Sequence, residues 1–192
     1  MEEIDDGAIA RARSGDGDAF RLLVERHSRN VFRLAYRMTG NEQDAEDVVQ
    51  ETFLRAYKQL KNYEARSSFA TWLYRIAANY SLDLIRMKKR HDERREKPAN
   101  DEERDVMQTI PGHDPTPDRL VFSAQVQQRV DEAMNELSEQ ERVAFVLRHF
   151  EGLSIEEIGR SLGTSTNATK HSIFRAVQKL RKNLEPLVSP AR

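Results

Sequence analysis

The run SIEEIGRSLGTSTNATKHSIFRAVQKLRKNL, residues 154–184, decides how the chain is read. Ile155, Ile158 and Leu162 recur at helical spacing on a short segment, Gly163 supplies a turn, and Ile173, Val177 and Leu180 form the apolar stripe of a longer segment. Two helices joined by so short a turn have the layout of a helix-turn-helix. The stripe leaves Lys170, His171, Phe174 and Arg175 largely outside the core of the second helix, predicted over about 167–184. Lysine and arginine placed there can meet guanine O6 and N7 or phosphates, and the helix N-terminus offers free amides to backbone oxygens. The plainer reading is that Lys179, Arg181 and Lys182 solvate the helix and complement the negative end of its dipole. For His171 a polar DNA contact and an ordinary exposed histidine stand side by side, since no second ligand at metal spacing accompanies it.

Outward from this run, Ser154 with Glu157 and Ser138 with Glu141 are capping boxes that start successive helices, predicted at Ile155–Leu162 and Glu139–Phe150. Gly152 and Gly163 close helices by permitting positive φ. A further helix resumes at about Leu120. Between His91 and Asp118 the periodicity fails, and REKPANDEERD followed by IPGHDPTPD has the charge, prolines and glycine of a flexible linker. From Glu102 to Asp118 five acids face one base, a net charge of −4, whereas Lys170–Arg192 has six bases against Glu185, a net charge of +5. That asymmetry places an electrostatic footprint for phosphates at the C-terminal end.

The first ninety residues repeat the helical pattern. Phe20, Leu23, Val24, His27, Val31, Leu34, Ala35 and Met38 mark one face, and Ala45, Val48, Val49, Thr52, Phe53, Ala56, Tyr57 and Leu60 mark another. Gly40 and Asn41 separate these two helices as C-terminal and N-terminal caps. A third helix starts behind Ser67 or Ser68 and runs to Arg90 with Phe69, Trp72, Leu73, Ile76, Ala77, Tyr80 and Leu84 inward, and a shorter one near Asp5–Ser14 packs on the group. The expected architecture is all-α: two small helical domains, residues 1–90 and 119–192, joined by a flexible acidic linker at 91–118.

Composition narrows the function. The chain has no cysteine, which removes disulfides and thiolate sites and fits a reducing cytoplasm. Its N-terminus is acidic without an apolar core, and no stretch approaches membrane-spanning length, so a cytoplasmic protein without membrane insertion is expected. His27, His91, His113, His149 and His171 are scattered without H-E-x-x-H spacing, and no glycine-rich phosphate loop occurs. No enzyme, no cofactor and no metal site are expected.

Four stretches then carry a resemblance: GDGDAFRLLVERH, DAEDVVQETFLRAYKQL, SSFATWLYRIAANYSLDLIRMKKR, and LSEQERVAFVLRHFEGLSIEEIGRSLG with SIFRA. In this order they resemble the extracytoplasmic-function (ECF) branch of bacterial sigma factors, non-enzymatic subunits that direct RNA polymerase to promoters and help melt the minus-ten region. The resemblance implies sigma region two over about 18–90 and region four over about 130–187. It implies that the helix Asp44–Leu60 binds the clamp helices of the polymerase largest subunit, which suits its polar residues Asp44, Asp47, Gln50, Glu51 and Arg55; without the family match these read as a solvated face. It implies that the loop Lys61–Ser68 and the helix behind it capture an unstacked minus-ten base, with Asn79 and Asp83 near the pocket and Arg86, Lys88, Lys89 and Arg90 on strand phosphates. Trp72, on the inward stripe, reads as core before stacking platform.

In region four, Lys170, His171, Ser172, Phe174 and Arg175 match positions that contact the minus-thirty-five element. The stretch N-A-T-K-H-S departs from the G-T-V-K-S-R common in the family, so base preference does not transfer. Contact with the flap of the second-largest subunit, a monomeric free state and an anti-sigma factor are also implied. The acidic linker resembles the family segment that threads the polymerase cleft. The competing reading, a dimeric helix-turn-helix regulator with a sensor domain, predicts heptads or a buried polar constellation, and the sequence offers neither.

Overall fold

Residues 2–94, 126 and 128–188 are described by a computed structural model. Among them the elements are helices and turns, with no strand: α1 (Glu2–Arg13), α2 (Gly17–Thr39), α3 (Glu42–Gln59), a 3-10 turn (Leu60–Asn62), α4 (Phe69–Arg94), α5 (128–135), α6 (Glu139–His149), α7 (Ile155–Leu162) and α8 (Thr166–Val188). The expected all-α class is what forms. The expected linker lies outside the described residues except at its start, where α4 runs past the expected Arg90 to Arg94.

Local chemistry explains the boundaries of the first domain. Asp16 caps α2 by accepting from the Ala19 amide at 3.0 Å. Gly40 ends that helix in the left-handed region, φ 81°, and donates to the Tyr36 carbonyl at 2.8 Å. Asn41 then caps α3 through the Asp44 amide, 2.8 Å, and Ser68 caps α4 through the Thr71 amide, 3.1 Å. Helices α2, α3 and α4 pack together over Leu23, Leu34, Met38, Val48 and Leu73, all fully buried. Each such side chain contributes about 1.5–3 kcal/mol by leaving water. Tyr57 departs from its expected inward place: it is mostly exposed and lies edge-on to Phe20, ring centroids 4.9 Å apart.

Helix α1 is short, carries Gly7 in its middle, and buries Ala8, Ile9 and Ala12. A twelve-residue helix of this kind is marginal alone, so docking holds it. Asp5, itself buried, accepts from Arg26 at 2.8 Å and sits 3.0 Å from Nε2 of the buried His27, tying α1 to α2.

In the second domain both predicted capping boxes are closed. Ser138 and Glu141, and Ser154 and Glu157, each exchange hydrogen bonds in both directions. Gly163 ends α7 at φ 63°, and Gly152 turns the chain after α6 at φ 71°. Gly159 is the tightest point of the helix-turn-helix: a Cβ there would lie 2.9 Å from the Thr164 carbonyl oxygen and 3.3 Å from Thr169 Oγ1. The close neighbour is backbone, so Gly159→Ala is expected to destabilise the domain by about 1–3 kcal/mol through overpacking. Chemical denaturation of wild type and variant measures the difference, and equal midpoints would contradict the packing described.

Candidate functional site

The polar face of α8 follows from its packing. Thr169, Ser172, Ala176 and Leu180 are buried at helical spacing, which leaves Asn167, Lys170, His171, Phe174 and Arg175 exposed. Phe174 is 61% exposed, unusual for a ring of this size, and stands beside Lys170 and His171 on an open face. Four of the five residues expected to contact the minus-thirty-five element therefore share a surface. Ser172 does not: it is turned into the core because it falls one turn before Ala176 on the buried stripe, so it is removed from the set. Arg175 has a second engagement, its Nε lying 3.3 Å from Glu141. Glu141 is 4% exposed and also accepts from Lys179 Nζ at 2.7 Å and from the Ser138 amide at 2.9 Å. Burial pushes its carboxyl upward, but Lys179 and the Ser138 groups outweigh burial and leave it below its ordinary value. Lys179, read from sequence as a solvating charge, thus helps to fix α8 on α6.

On α3 the outer face holds Asp47 and Gln50, both exposed, with Glu51 and Arg55 paired at 2.7 Å and half-buried. Arg55 also lies over the Tyr80 ring at 4.8 Å, which orients its guanidinium. Asp44 is corrected by the structure. It is buried, receives Asn41 Nδ2 at 2.6 Å and pairs with Lys88 at 2.6 Å, so it fastens α3 to α4 and is not on the free face. Leu54, 48% exposed, and Tyr57 occupy the outer face one and two turns beyond Gln50 and were missed as candidates; an apolar residue exposed amid polar ones on a helix face is the signal that marks them.

Asn79, Asp83, Arg86, Lys89 and Arg90 are all exposed along α4. Two of them meet the second domain. Asn79 Nδ2 donates to the Ser161 carbonyl at 3.2 Å, and Arg86 Nε pairs with Glu139 at 3.0 Å. The same seam contains Glu151, which is half-buried, 3.5 Å from Arg37 Nη1, while the Arg37 guanidinium lies 4.1 Å from the centre of the Phe150 ring. Burial raises the Glu151 carboxyl above its ordinary value against the pull of Tyr74, Arg37 and Arg33. Tyr74 is pushed up to about 12 by burial and by the neighbouring Glu151 charge. Trp72 packs against Tyr63 and Phe69 at 5.1 and 5.6 Å, in keeping with a core role.

Among the described residues no acidic, histidine or cysteine group of metal-binding size occurs, and no helix is long and apolar enough to cross a membrane.

The model of Sigma-70 region 2 matches residues 23–91, and that of Sigma-70, region 4, matches residues 127–180. The chain is similar to the ECF RNA polymerase sigma factor SigW of Bacillus subtilis, 33% identical over 97% of this chain and 100% of that protein. It is also 38% identical to the ECF RNA polymerase sigma factor SigE of Mycolicibacterium smegmatis over 84% of this chain, spanning 60% of that longer relative. Among solved structures, CnrH in complex with the cytosolic domain of CnrY superposes with a TM-score of 0.65 at 28% identity, covering 95% of this chain and 97% of CnrH.

Proposed function

Because the chain belongs to the ECF sigma factors, we propose that it docks on core RNA polymerase, carries it to a class of promoters and helps to open the minus-ten region. The observation that carries this reading is the arrangement of two separate exposed faces, α4 in one domain and α8 in the other, on the segments that match regions two and four. Residues 1–90 serve as region two, 91–118 as the linker and 119–192 as region four. The protein acts as an initiation factor and not as an enzyme, in the cytoplasm, and is monomeric when free.

The face of α3 formed by Asp47, Gln50, Glu51 and Arg55, extended by Leu54 and Tyr57, offers directional polar contacts around an apolar centre, the composition of a small helical docking surface. It faces the clamp helices of the largest subunit, while region four meets the flap of the second-largest. The Asn79 amide both donates and accepts, as a flipped minus-ten base requires, with Asp83 one turn on. Arg86, Lys89 and Arg90 hold strand phosphates. Lys170, His171 and Arg175 reach base edges or phosphates of the minus-thirty-five element, and the Phe174 ring supplies an apolar contact such as a thymine methyl accepts. Asn79 and Arg86 are engaged by Ser161 and Glu139, so the domains part before α4 takes DNA. An anti-sigma factor is a further partner in this proposal.

Transcription by purified core polymerase with and without the protein, on a promoter library, tests the reading; absence of any protein-dependent start site contradicts it. Gln50→Ala with Glu51→Ala is expected to weaken core binding several-fold while circular dichroism stays unchanged, since truncating an interface contact outside a hot spot costs less than about 1 kcal/mol. A pull-down with wild-type affinity would reject the α3 assignment.

A further inference from the structure

The loop between the 3-10 turn and α4 is held from outside by α1, a helix that precedes the residues matched to region two. In the 3-10 turn that leads into the loop, Arg13 Nη2 donates to the Lys61 carbonyl at 3.0 Å. At its end the link runs through the core: Asp5 holds the His27 ring, which meets the Phe69 ring edge-on with centroids 5.4 Å apart. The two ends of one short helix thus brace the two ends of one loop. Inside the loop, Tyr63 is buried and its hydroxyl donates to the Ser67 carbonyl at 2.7 Å. Ala65 adopts φ 54°, the left-handed region that a residue with a Cβ enters only where its surroundings impose it. Glu64, Ala65 and Arg66 are exposed at the tip. A strained tip on braced ends is a shape set in advance for a ligand, and rigid presentation lowers the ordering cost of binding.

We infer that α1 positions the minus-ten loop, with Arg13 as a positioning residue that sets the start of the loop through its contact with the Lys61 carbonyl. The inference rests on the minus-ten reading given above and adds a dependence of that site on an element outside it. Arg13 acts through the backbone and touches no base.

The chain has a single tryptophan, Trp72, packed on Tyr63 and Phe69 at the two ends of the loop, so its fluorescence reports the shape of the loop without a label. The experiment compares Arg13→Ala, Arg13→Lys and a replacement of residues 64–67 by Gly-Ser-Gly-Ser. Each is measured free, for Trp72 emission, and as holoenzyme with core polymerase, for affinity toward a forked minus-ten template and toward core. Arg13→Ala is expected to shift Trp72 emission and to lower forked-template affinity about three- to ten-fold, the factor that one net hydrogen bond corresponds to. Affinity for core stays within about two-fold, and Arg13→Lys, which keeps a donor for the carbonyl, restores most of the template affinity. Wild-type template affinity in Arg13→Ala, while the loop replacement loses it, overturns the positioning role. So does an equal loss in Arg13→Ala and Arg13→Lys with unchanged Trp72 emission, which assigns Arg13 to a direct contact. If the loop replacement itself keeps wild-type template affinity, the minus-ten reading of the loop fails and the inference falls with it.

Discussion

A gel shift with the protein alone is expected to yield no specific complex at physiological salt, whereas adding core polymerase yields one that protects both promoter elements. Each domain presents a small face: Lys170, His171, Phe174 and Arg175 on α8, and the Asn79–Arg90 side of α4. A single recognition helix buries too little for specific affinity by itself, and Asn79 and Arg86 are already engaged by the second domain in the free chain. The −4 segment at Glu102–Asp118 adds repulsion of phosphates. Polymerase removes these obstacles by holding both domains at a fixed separation, and two weak contacts joined in this way gain a factor on the order of 10²–10⁴. Within that complex Lys170→Ala and Arg175→Ala weaken the upstream contact and leave core binding unchanged. A tight, specific dimer of the free protein on a palindrome would instead establish a free-standing regulator and overturn the promoter mechanism proposed.

Most of the fold was legible because local chemistry determines it. Capping boxes at Ser138 and Ser154, glycine caps at Gly40 and Gly163, and apolar stripes at helical spacing each act within a few residues, where sequence spacing and spatial neighbourhood coincide. What escaped depends on partners far along the chain. Asp44 reads as one acid among several on α3 until Lys88, forty-four residues on, is placed beside it. Ser172 sits among exposed family positions, yet it falls on the stripe of Thr169, Ala176 and Leu180 that is buried where α8 packs on the rest of its domain. Gly159 carries no turn signal, since its role is the approach of the Thr164 carbonyl. Tyr57 shows the reverse case, an apolar stripe position left mostly outside, where its ring meets Phe20 in a T-shaped contact. The brace from α1 to the loop and the seam between domains have no periodicity of any kind, and only the assembled fold brings their residues together.

Removing the carboxylate of Glu141 is expected to cost the second domain about 2–4 kcal/mol, a large share of what so small a domain has. Three connections end on this one side chain. It completes the capping box with the Ser138 amide, it receives the Lys179 ammonium, and it faces Arg175, so α6 is started and α8 is held by the same group. Loss of a cap costs about 1 kcal/mol, and loss of a hydrogen bond to a charged group about 1.5–3, with the lysine contribution reduced because that side chain is partly in water. Glu141→Gln keeps an acceptor for the Ser138 amide but loses the charge that Lys179 and Arg175 need, so its cost falls between alanine and wild type. The pH dependence separates charge from shape. The folded domain holds this carboxyl below its ordinary value near 4.5, so its stabilisation is complete above that value and disappears as pH falls through the lowered one. The stability gap between wild type and Glu141→Gln is therefore widest at neutral pH and closes in acid, as urea denaturation at a series of pH values measures. A gap that stays constant from neutral to acid would show that Glu141 acts through packing alone, and the electrostatic fastening of α8 to α6 would have to be abandoned.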